Sequence, residues 1–401
     1  MKKILVINAG SSSFKFKVFS FPKEEVIAEG MADRVGLDDS SFEIKLTDKT
    51  KHSEEVNIPD QTTAVKILLN NLKKYQVIND LAEIIGIGHR IVAGGETFKK
   101  STLINKDNLQ KIYDLKEYAP LHDEAEADVI KAFLELLPNV PEVAVFDTAF
   151  HQSLDPVHYL YSLPYKYYEK YKARKYGAHG TSVRFVIQEA AKLLDKPLDQ
   201  LKLIVCHLGS GASITAVKDG KSLDTSMGFT PLAGITMSSR SGDVDPSVLA
   251  YIMKKEHINM NQMIDILNHK SGLLGISEIS PDMRDLRDDM SRLNNDQKKK
   301  ADLARNIFIN RICRYIGAYI MEMGGVDGII FTAGVGEHDF GVRDKVMNAL
   351  NFMGVIPDEE RNKANKAGLI TRPDSKIAVM LIPTNEELMI ERDVVKVADL
   401  K

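Results

Sequence analysis

The chain carries Ile4-Leu5-Val6-Ile7-Asn8-Ala9-Gly10-Ser11-Ser12-Ser13, and roughly half a chain later a similar stretch, Leu203-Ile204-Val205-Cys206-His207-Leu208-Gly209-Ser210-Gly211-Ala212-Ser213. In both, a run of mostly branched apolar residues predicts a buried strand, and the glycines and serines that follow predict a turn. A second β-like run comes next in each copy, at residues 14–19 and 214–217. The repetition predicts a duplicated fold whose halves face one another across a cleft.

Short β-rich runs alternate with longer amphipathic ones elsewhere in the chain, a pattern typical of α/β proteins. One predicted strand leads into a third glycine turn, Ala333-Gly334-Val335-Gly336. The other predicted elements are strands at 143–146 and 326–332 and helices at 127–137, at 301–323, and from a cap at Thr181 or Ser182 to residue 194.

The 401 residues include 53 Lys and Arg against 56 Asp and Glu, for a formal net charge of −3. This near balance argues against nucleic-acid binding through bulk charge. The length suits two or three globular domains, and the repeat favours two. The two cysteines, Cys206 and Cys313, exclude a disulfide framework and favour a reducing compartment.

The sequence predicts neither export nor membrane insertion. The apolar run at residues 4–7 is too short for a signal peptide, and Asn8 and Gly10 end it. No stretch of about 18 uncharged apolar residues occurs, so no membrane span is expected. We therefore expect a soluble, cytoplasmic protein.

The three glycine turns favour nucleotide binding, because exposed backbone N–H groups can cradle phosphate oxygens. The common nucleotide signatures are nevertheless incomplete. A P-loop ending at Gly220-Lys221-Ser222 would need glycine where Thr215 stands, and Ile214 and Asp339 occupy the last glycine position of the two G-x-G-x-x-G candidates. Without paired cysteines or an H-E-x-x-H motif, a zinc site is not expected.

Polar side chains cluster where predicted strands end. Arginine suits phosphate or carboxylate because its guanidinium binds two oxygens at once, and a carboxylate such as Asp147 can hold Mg²⁺. Each residue alone is more often structural, and the combination with three glycine turns favours a site. The clusters are His89-Arg90, His122, Asp147, His179-Gly180-Thr181-Ser182 and Ser239-Arg240-Ser241-Gly242-Asp243.

Residues 150–180 hold seven of the 13 tyrosines. Tyrosine suits surfaces that are half apolar and half wet, which is typical of a domain junction or a subunit contact. A packed connecting segment explains the composition equally well.

Longer motifs resemble the acetate kinase family, in order from residue 4 to about 392 and without a large insertion. They are Asn8-Ala9-Gly10-Ser11-Ser12-Ser13-Phe14-Lys15, Phe146-Asp147-Thr148-Ala149-Phe150-His151, Asp224-Thr225-Ser226-Met227-Gly228-Phe229-Thr230-Pro231, Ser271-Gly272-Leu273-Leu274-Gly275-Ile276-Ser277 and Pro383-Thr384-Asn385-Glu386-Glu387-Leu388.

The resemblance implies two duplicated actin-like (ribonuclease H-like) α/β domains with a nucleotide cleft between them. The first would span 1–150, with 386–401 packing back on it, and the second, nucleotide-binding domain would span 151–385. The implied activity is reversible, Mg²⁺-dependent phosphoryl transfer from ATP to acetate, giving acetyl phosphate and ADP. Mn²⁺ could replace Mg²⁺, and a homodimer that binds neither nucleic acid nor membrane is implied.

The resemblance also implies roles for individual residues. Asn8 and Glu386 would position the metal, and Arg90, His122 and the apolar Val92, Leu121 and Pro231 would bind the carboxylate. Arg90, Asp147, His179 and Arg240 would be catalytic. The nucleotide would contact Lys15, His207, Leu208, Gly209, Ser210, Gly211, Asp282, Met283, Arg284, Gly334, Val335, Gly336, Glu337 and His338.

The chemistry fits these roles, because acetate is already ionised at neutral pH and needs no strong base. The obstacle is bringing an anion to a polyanion, so catalysis is mostly positioning and charge neutralisation. For Asp147, the family's proposed acid/base or metal-orienting residue, we therefore favour orientation of metal or water over proton transfer.

Several positions depart from the family pattern. Ala178 stands where the family usually has the phenylalanine that helps close the acyl pocket, so propionate or butyrate becomes an alternative acceptor. One methylene is worth only about 1–3 kcal/mol, which allows a shift in preference and no absolute exclusion. The other departures are Asp123-Glu124 for Asn-Pro, Val183 for His, Ser210 for Asn and His338 for Asn.

Two other classes of protein are alternatives to a kinase of short carboxylates: an actin-like ATP-driven binding protein and a sugar kinase. An actin-like ATP-driven binding protein would have no need of the second anion site that Arg90, His179 and Arg240 suggest. A sugar kinase would need a polar pocket with a carboxylate base, whereas the predicted pocket is apolar. We rank the sugar kinase last.

Overall fold

The computed structural model describes residues 1–10, 12–115, 123–287 and 291–401. The described chain divides into two compact units, unit 1 formed by Met1–Phe150 with Asn385–Lys401 and unit 2 by His151–Thr384. Leu121 and His122, both predicted to bind the carboxylate, lie outside the described residues.

Unit 1 is built on a mixed sheet to which eight of the described strands contribute, in the order β5-β4-β3-β2-β1-β6-β8-β7. β1 is antiparallel to β2 and parallel to β6, which is parallel to β8. The strands are β1 (Lys3–Ala9), β2 (Ser13–Ser20), β3 (Glu25–Asp33), β4 (Ser41–Leu46), β5 (Lys51–Glu55), β6 (Ile84–Ile91), β7 (Thr102–Leu103) and β8 (Glu142–Phe146).

Alternation along β1 sends side chains to two cores. Leu5 and Ile7 join a cluster with Leu68 and Phe133, which lie on helices of unit 1, whereas Ile4 and Val6 belong to a second cluster. The helices that precede unit 2 are α1 (Gln61–Lys74), α2 (Lys106–Asp114) and α3 (Asp123–Leu136).

Unit 2 contains a second mixed sheet, in which six of the described strands follow the order β11-β10-β9-β12-β14-β13. Its strands are β9 (Lys202–Leu208), β10 (Ala212–Lys218), β11 (Lys221–Thr225), β12 (Gly328–Thr332), β13 (Gly368–Leu369) and β14 (Ala378–Leu381). Its helices are α4 (Pro156–Tyr159), α5 (Lys166–Tyr171), α6 (Gly180–Leu194), α7 (Pro246–Glu256), α8 (Met260–His269), α9 (Gly272–Ser277), α10 (Asn295–Met323), α11 (Ala333–His338), α12 (Phe340–Ala349) and α13 (Glu359–Lys363).

The chain ends in unit 1 with α14 (Glu386–Val397), which packs on β1, β6 and β8. Two glycines of β6 allow this close approach: a Cβ at Gly88 would stand 2.4 Å from Ile390 Cγ2, and one at Gly86 would stand 2.6 Å from Val394 Cγ1. Ile390 and Val394 complete the cluster that contains Ile4. This packing fixes where Glu386, the first residue of α14, enters unit 1.

The two sheets repeat one arrangement, which confirms the predicted α/β class and agrees with duplication. In unit 1, β1 pairs antiparallel with β2 and parallel with β6; in unit 2, β9 pairs antiparallel with β10 and parallel with β12. The first turn joins Asn8 to its cross-strand partner Lys15, and the second joins His207 to Ser213. Both tight turns therefore follow the equivalent strand of their sheet.

Three local predictions were wrong in detail. The helix predicted from 301 is α10, which begins at Asn295 because Asn294 and Gln297 form a capping box. α6 begins at Gly180 without a side-chain cap, preceded by His179 in a left-handed conformation (φ 60°). The third glycine turn is the short helix α11, entered through Ala333 at φ 62°.

Within the described ranges, no helix combines the length and the apolar character that crossing a bilayer requires.

Candidate functional site

In unit 1 the polar ends of three neighbouring parallel strands meet at Arg90. Its Nη2 donates to Asp147 Oδ2 (2.5 Å), and its Nη1 donates to Asn8 Oδ1 (3.3 Å). Glu386 adds a second carboxylate, with Oε2 3.9 Å from Arg90 Nε. Asn8 lies on β1, Arg90 on β6 and Asp147 directly after β8, so the sheet topology itself creates the cluster.

The cluster holds more negative than positive charge. Burial opposes the charged form of Arg90, but Asp147, Glu386 and Glu126 outweigh burial and raise the pKa of the guanidinium above its usual value. Burial and the neighbouring Asp147 raise the pKa of Glu386 to about 7, although Arg90 acts in the opposite direction. The site therefore favours a further cation.

The donors available for such a cation are oxygen atoms. Asn8 offers an amide oxygen, and Asp147 and Glu386 offer carboxylates, which are the ligand types that Mg²⁺ prefers. In the part of the chain that the structure describes, no three His, Cys, Asp or Glu side chains gather closely enough to hold a metal ion by themselves. Any metal here would need the amide oxygen, water or substrate to complete its shell.

Glu126 is a residue of this cluster that the sequence analysis did not single out. It is buried on α3, and its Oε2 accepts a hydrogen bond from the backbone N–H of Val92 at 3.1 Å. It thus holds the backbone of a predicted acyl-pocket residue and stabilises the charge of Arg90. The sequence does not distinguish Glu126 from the neighbouring acidic residues Asp123, Glu124 and Asp128, because its burial is visible only in the folded chain.

In unit 2 two predicted site histidines stack, with ring centroids 4.0 Å apart and planes 18° apart. His179 Nδ1 lies 3.0 Å from Ser213 Oγ, and His207 Nδ1 lies 2.8 Å from Ser182 Oγ. Ser182 Oγ is also 2.7 Å from Thr384 Oγ1. The hydroxyl that was predicted to cap α6 thus serves to orient His207.

Arg240 lies beside His179 at the second glycine turn. A Cβ at Gly211 would stand 3.2 Å from Arg240 Nη1 and 3.6 Å from His179 Nε2, so glycine permits this convergence. Arg240 Nη1 also donates a long hydrogen bond of 3.5 Å to the carbonyl of Pro231, which lies with this group. Partial burial lowers the pKa of Arg240, and its charge is therefore poorly solvated and suited to an anion.

A cavity of about 420 Å³ lies in unit 2 beside this group. Eight of the predicted nucleotide residues line it, together with four that sequence reasoning missed. The predicted ones are Gly209, Ser210, Asp282, Met283, Arg284, Gly334, Val335 and His338, and the missed ones are Ser238, Pro281, Arg287 and Asp339. Arg287, three residues beyond Arg284, could have been found from that spacing.

Other predicted nucleotide residues do not line this cavity. Leu208 is fully buried, and a Cβ at Gly336 would stand 3.4 Å from the carbonyl carbon of Phe331, so both pack into the core. Glu337 turns its carboxylate to the backbone, accepting from Ala333 N (2.8 Å) and Thr384 N (3.2 Å). His207 and Gly211 lie instead with the His179 and Arg240 group described above.

Lys15 lies in unit 1, where it lines a separate cavity of about 330 Å³. Asn8 lines the same cavity, as does Lys17, which pairs with Glu387 at 3.3 Å. Lys15 is thus close to the predicted metal residue Asn8, its neighbour across the β1–β2 turn.

Ala178, where the sequence was expected to depart from the family at a predicted acyl pocket, is buried in unit 2 directly before His179. Its carbonyl lies 2.9 Å from Nε2 of the fully buried His151, whose Nδ1 lies 2.8 Å from Ser222 Oγ. Because a carbonyl only accepts, Nε2 carries the hydrogen. His151 thereby anchors the backbone that presents His179.

The chain is similar over its full length to known proteins. It is 52% identical to an acetate kinase of Geobacillus kaustophilus (strain HTA426), covering 100% of both chains, and 52% identical to one of Bacillus subtilis (strain 168), covering 99% of this chain and 100% of that one. A crystal structure of Porphyromonas gingivalis acetate kinase superposes with a TM-score of 0.95 at 40% identity, covering 99% of this chain and 100% of the other.

A propionate kinase structure from Francisella tularensis subsp. tularensis SCHU S4 is also similar, with a TM-score of 0.90 at 37% identity over 99% of this chain and 100% of that chain. The family model of the acetokinase family matches residues 3–392. The resemblance that the sequence motifs suggested is thereby confirmed. The chain belongs to the acetokinase family.

Proposed function

We propose that the chain is an acetate kinase, a phosphotransferase that moves the γ-phosphoryl group of ATP reversibly to the carboxylate of acetate. Membership of the acetokinase family supports phosphoryl transfer to a carboxylate as the class of activity. The observation that carries the acceptor is Arg90, a guanidinium that is held in unit 1 by Asp147 and Asn8 and is not among the residues that line the cavity of unit 2. A protein that only bound and hydrolysed nucleotide would have no use for this second anion-binding group.

Unit 2 supplies the nucleotide side of this proposal. The 420 Å³ cavity is lined by backbone of Gly209 and Gly334 and by Arg284 and Arg287, which suits an ATP or ADP that is partly polar and partly aromatic. We propose a C-terminal actin-like, nucleotide-binding domain at 151–385 and an N-terminal actin-like domain at 1–150 on which 386–401 packs back.

Arg240 and His179 supply charge for the phosphoryl group in transit. They converge at Gly211, where the missing side chain leaves both groups free to approach the same oxygens. Stacking on His207 and the contact with Ser213 fix the ring of His179, so little reorganisation is needed as the reaction proceeds. Each such fixed donor typically contributes about 3–4 kcal/mol to the lowering of the barrier.

Acetate is proposed to bind at Arg90 through its carboxylate and against Val92 and Pro231 through its methyl group. Leu121 and His122 belong to the same expected pocket. Because acetate is ionised at neutral pH, the site has to orient an anion rather than create one. Asp147 is accordingly proposed to orient Arg90 and a metal or water, since its carboxylate already accepts from Arg90.

Asn8 and Glu386 are proposed to hold Mg²⁺, directly or through water, and Mn²⁺ suits the same oxygen donors. The two carboxylates of Asp147 and Glu386 beside the single guanidinium of Arg90 support a divalent cation at this position. When bound, Mg²⁺ neutralises charge on the β- and γ-phosphates.

A longer acyl acceptor is the second candidate. Ala178, directly before His179, carries a smaller side chain than the phenylalanine that the family usually has there, and a solved propionate kinase shares the fold at 37% identity. Propionate or butyrate would therefore compete with acetate in the same pocket.

We further propose that the protein is a cytoplasmic homodimer. Unit 2 exposes apolar side chains on α7, among them Tyr251 and Ile252, and Val157 and Tyr165 are exposed in the tyrosine-rich segment. Surfaces of this kind support association with a second copy. Other tyrosines of the segment pack internally, as Tyr159 does beneath Arg174.

Trapping of the product with hydroxylamine tests the proposed function. Purified protein supplied with ATP, Mg²⁺ and acetate is expected to give acetyl hydroxamate, and Arg240→Ala is expected to lower kcat by about 10²- to 10³-fold at an unchanged melting temperature. Arg372→Ala, which removes an exposed partner of Asp374, is the matched control and should keep full activity. Absence of hydroxamate with acetate, propionate and butyrate alike would refute the proposal.

A further inference from the structure

Arg343, on α12, is fully buried yet uses its guanidinium entirely on neutral oxygens among its described hydrogen bonds. Nη1 donates to the carbonyl of Gly336 (2.8 Å) and Nε to Asn362 Oδ1 (2.8 Å). Nη2 donates to the carbonyl of Asn362 (2.7 Å) and to Asn365 Oδ1 (2.5 Å). One side chain thus joins α11, α12 and the segment at α13.

Burying a guanidinium costs free energy, because its charge is removed from water. Burial lowers the pKa of Arg343 to about 10, with Asp339 acting in the opposite direction, so the side chain remains charged at neutral pH. Apolar side chains of similar volume often replace buried charges without loss of stability. What arginine adds is its rigid, planar fork, which fixes the direction of several acceptors at once.

The element that Arg343 holds is the short helix α11. Gly336, whose carbonyl it binds, presses against the sheet: a Cβ there would stand 3.4 Å from the Phe331 carbonyl carbon and 3.6 Å from the Cys206 carbonyl oxygen. At the other end of the helix, Glu337 accepts from the N–H of Ala333. α11 is therefore held against the strand ends of unit 2 by Arg343, and its own Glu337 links it to the backbone of Thr384.

α11 and the residue after it form one wall of the cavity in unit 2. Gly334, Val335, His338 and Asp339 line that wall, whereas Arg343 does not line the cavity. Asp339 Oδ2 lies 3.7 Å from Nε of Arg287, which also lines the cavity. A shift of α11 would consequently move both backbone and charge at the cavity surface.

We propose that Arg343 is a positioning residue for the nucleotide: it holds α11 so that the cavity wall keeps the shape that binds a nucleoside di- or triphosphate. The ligand class rests on the proposed function. The described hydrogen bonds of Arg343 all go to residues of unit 2, whereas Arg90 belongs to unit 1. Removal of Arg343 is therefore expected to alter the binding of the nucleotide and to leave the binding of the carboxylate unchanged.

Arg343→Lys and Asn365→Gly test this proposal. Lysine keeps the charge but loses the fork, and glycine at position 365 keeps the left-handed backbone (φ 50°) while removing one acceptor. Val346→Ala is the matched control, because Val346 is buried on the same helix. The substitution is expected to lower stability without removing any hydrogen bond of Arg343. ADP affinity by calorimetry, KM for ATP, KM for acetate and melting temperature are measured for each protein.

Arg343→Lys is expected to weaken ADP binding and raise KM for ATP by about tenfold or more, the loss expected when charge-assisted hydrogen bonds are broken. KM for acetate should stay within about twofold, and Asn365→Gly should give a smaller change of the same sign. Val346→Ala should lower the melting temperature with both KM values unchanged. An Arg343→Lys protein with wild-type ADP affinity, or with both KM values raised equally, would overturn the proposal.

The outcomes that would refute the proposed function differ from those that would refute the role of Arg343. A wild-type protein that binds ADP but forms no acyl phosphate refutes the kinase activity, while the ADP affinities of the variants still decide the role of Arg343. An active wild type whose Arg343→Lys variant binds ADP equally well refutes the role of Arg343 alone.

Discussion

Arg90 Nη2 donates to Asp147 Oδ2 across 2.5 Å, so the guanidinium proposed to bind acetate is fixed by a carboxylate from the neighbouring parallel strand. Asn8 restrains the same guanidinium from the other side. Arginine oriented in this way offers its remaining N–H groups in a defined direction, which a flexible surface arginine cannot do. We therefore expect Asp147 to affect acetate binding as well as to neighbour the proposed metal.

Asp147→Asn is expected to raise KM for acetate by about 5- to 10-fold, because it replaces a charge-assisted hydrogen bond worth about 1.5–3 kcal/mol with a neutral one worth about 0.5–1.5 kcal/mol. Steady-state kinetics with acetate varied at saturating ATP measures the change. Asp128→Asn, which alters an exposed carboxylate bound by Tyr113, is the control and should leave KM unchanged. An unaltered KM for acetate in Asp147→Asn would show that the pair does not orient the acceptor.

Ala178→Phe is expected to shift acceptor preference toward acetate. A phenyl group beside His179 would take the space available to a longer chain, so kcat/KM for butyrate should fall by about tenfold or more relative to acetate. Ala178→Val should give an intermediate shift. Equal ratios of kcat/KM across acetate, propionate and butyrate in the wild type and in both variants would disprove the pocket argument.

Stability should fall in mild acid because of His151. Burial lowers its pKa from 6.5 to about 4, so the unfolded chain binds a proton between these values that the folded protein does not bind. The stabilisation by neutral His151 is therefore complete above pH 6.5 and is lost as the pH falls toward 4. Between pH 7 and pH 5 the loss from this residue is about 2 kcal/mol.

Urea denaturation of the wild type and of His151→Gln at the two pH values isolates this contribution. The variant should be less stable at pH 7, since glutamine cannot reproduce both contacts, yet it should lose about 2 kcal/mol less than the wild type on acidification. An equal loss in both proteins would mean that His151 does not remain neutral in the folded state.

The duplicated strand–turn–strand units could be predicted because apolar runs and glycine turns are local signals. The first residues of the helices were harder to predict from the sequence than these units. The preference for Ser and Thr at helix N-caps predicted a cap at Thr181 or Ser182. The Ser182 hydroxyl instead forms tertiary hydrogen bonds with His207 and Thr384. The start of α10 was missed although Asn294 and Gln297 have the spacing of a capping box.

Some residues of the candidate site could likewise be predicted from the sequence, and others could not. Polar residues at strand ends pointed to Arg90 and Asp147, because parallel strands bring their ends to one edge of a sheet. Arg343 gave no such signal, since its meaning lies in hydrogen bonds to Asn362 and Asn365 that only the folded chain brings near. Its charge alone would have suggested an exposed residue.

The most direct test of the central claim, that acetate oxygen attacks the γ-phosphate, follows the carboxylate oxygen itself. The protein is incubated with ATP, Mg²⁺ and acetate labelled with ¹⁸O in the carboxylate, and the products are examined by ³¹P NMR. We expect acetyl phosphate whose phosphorus resonance carries the isotope shift of a directly bonded ¹⁸O. Release of unlabelled inorganic phosphate without acetyl phosphate would contradict it.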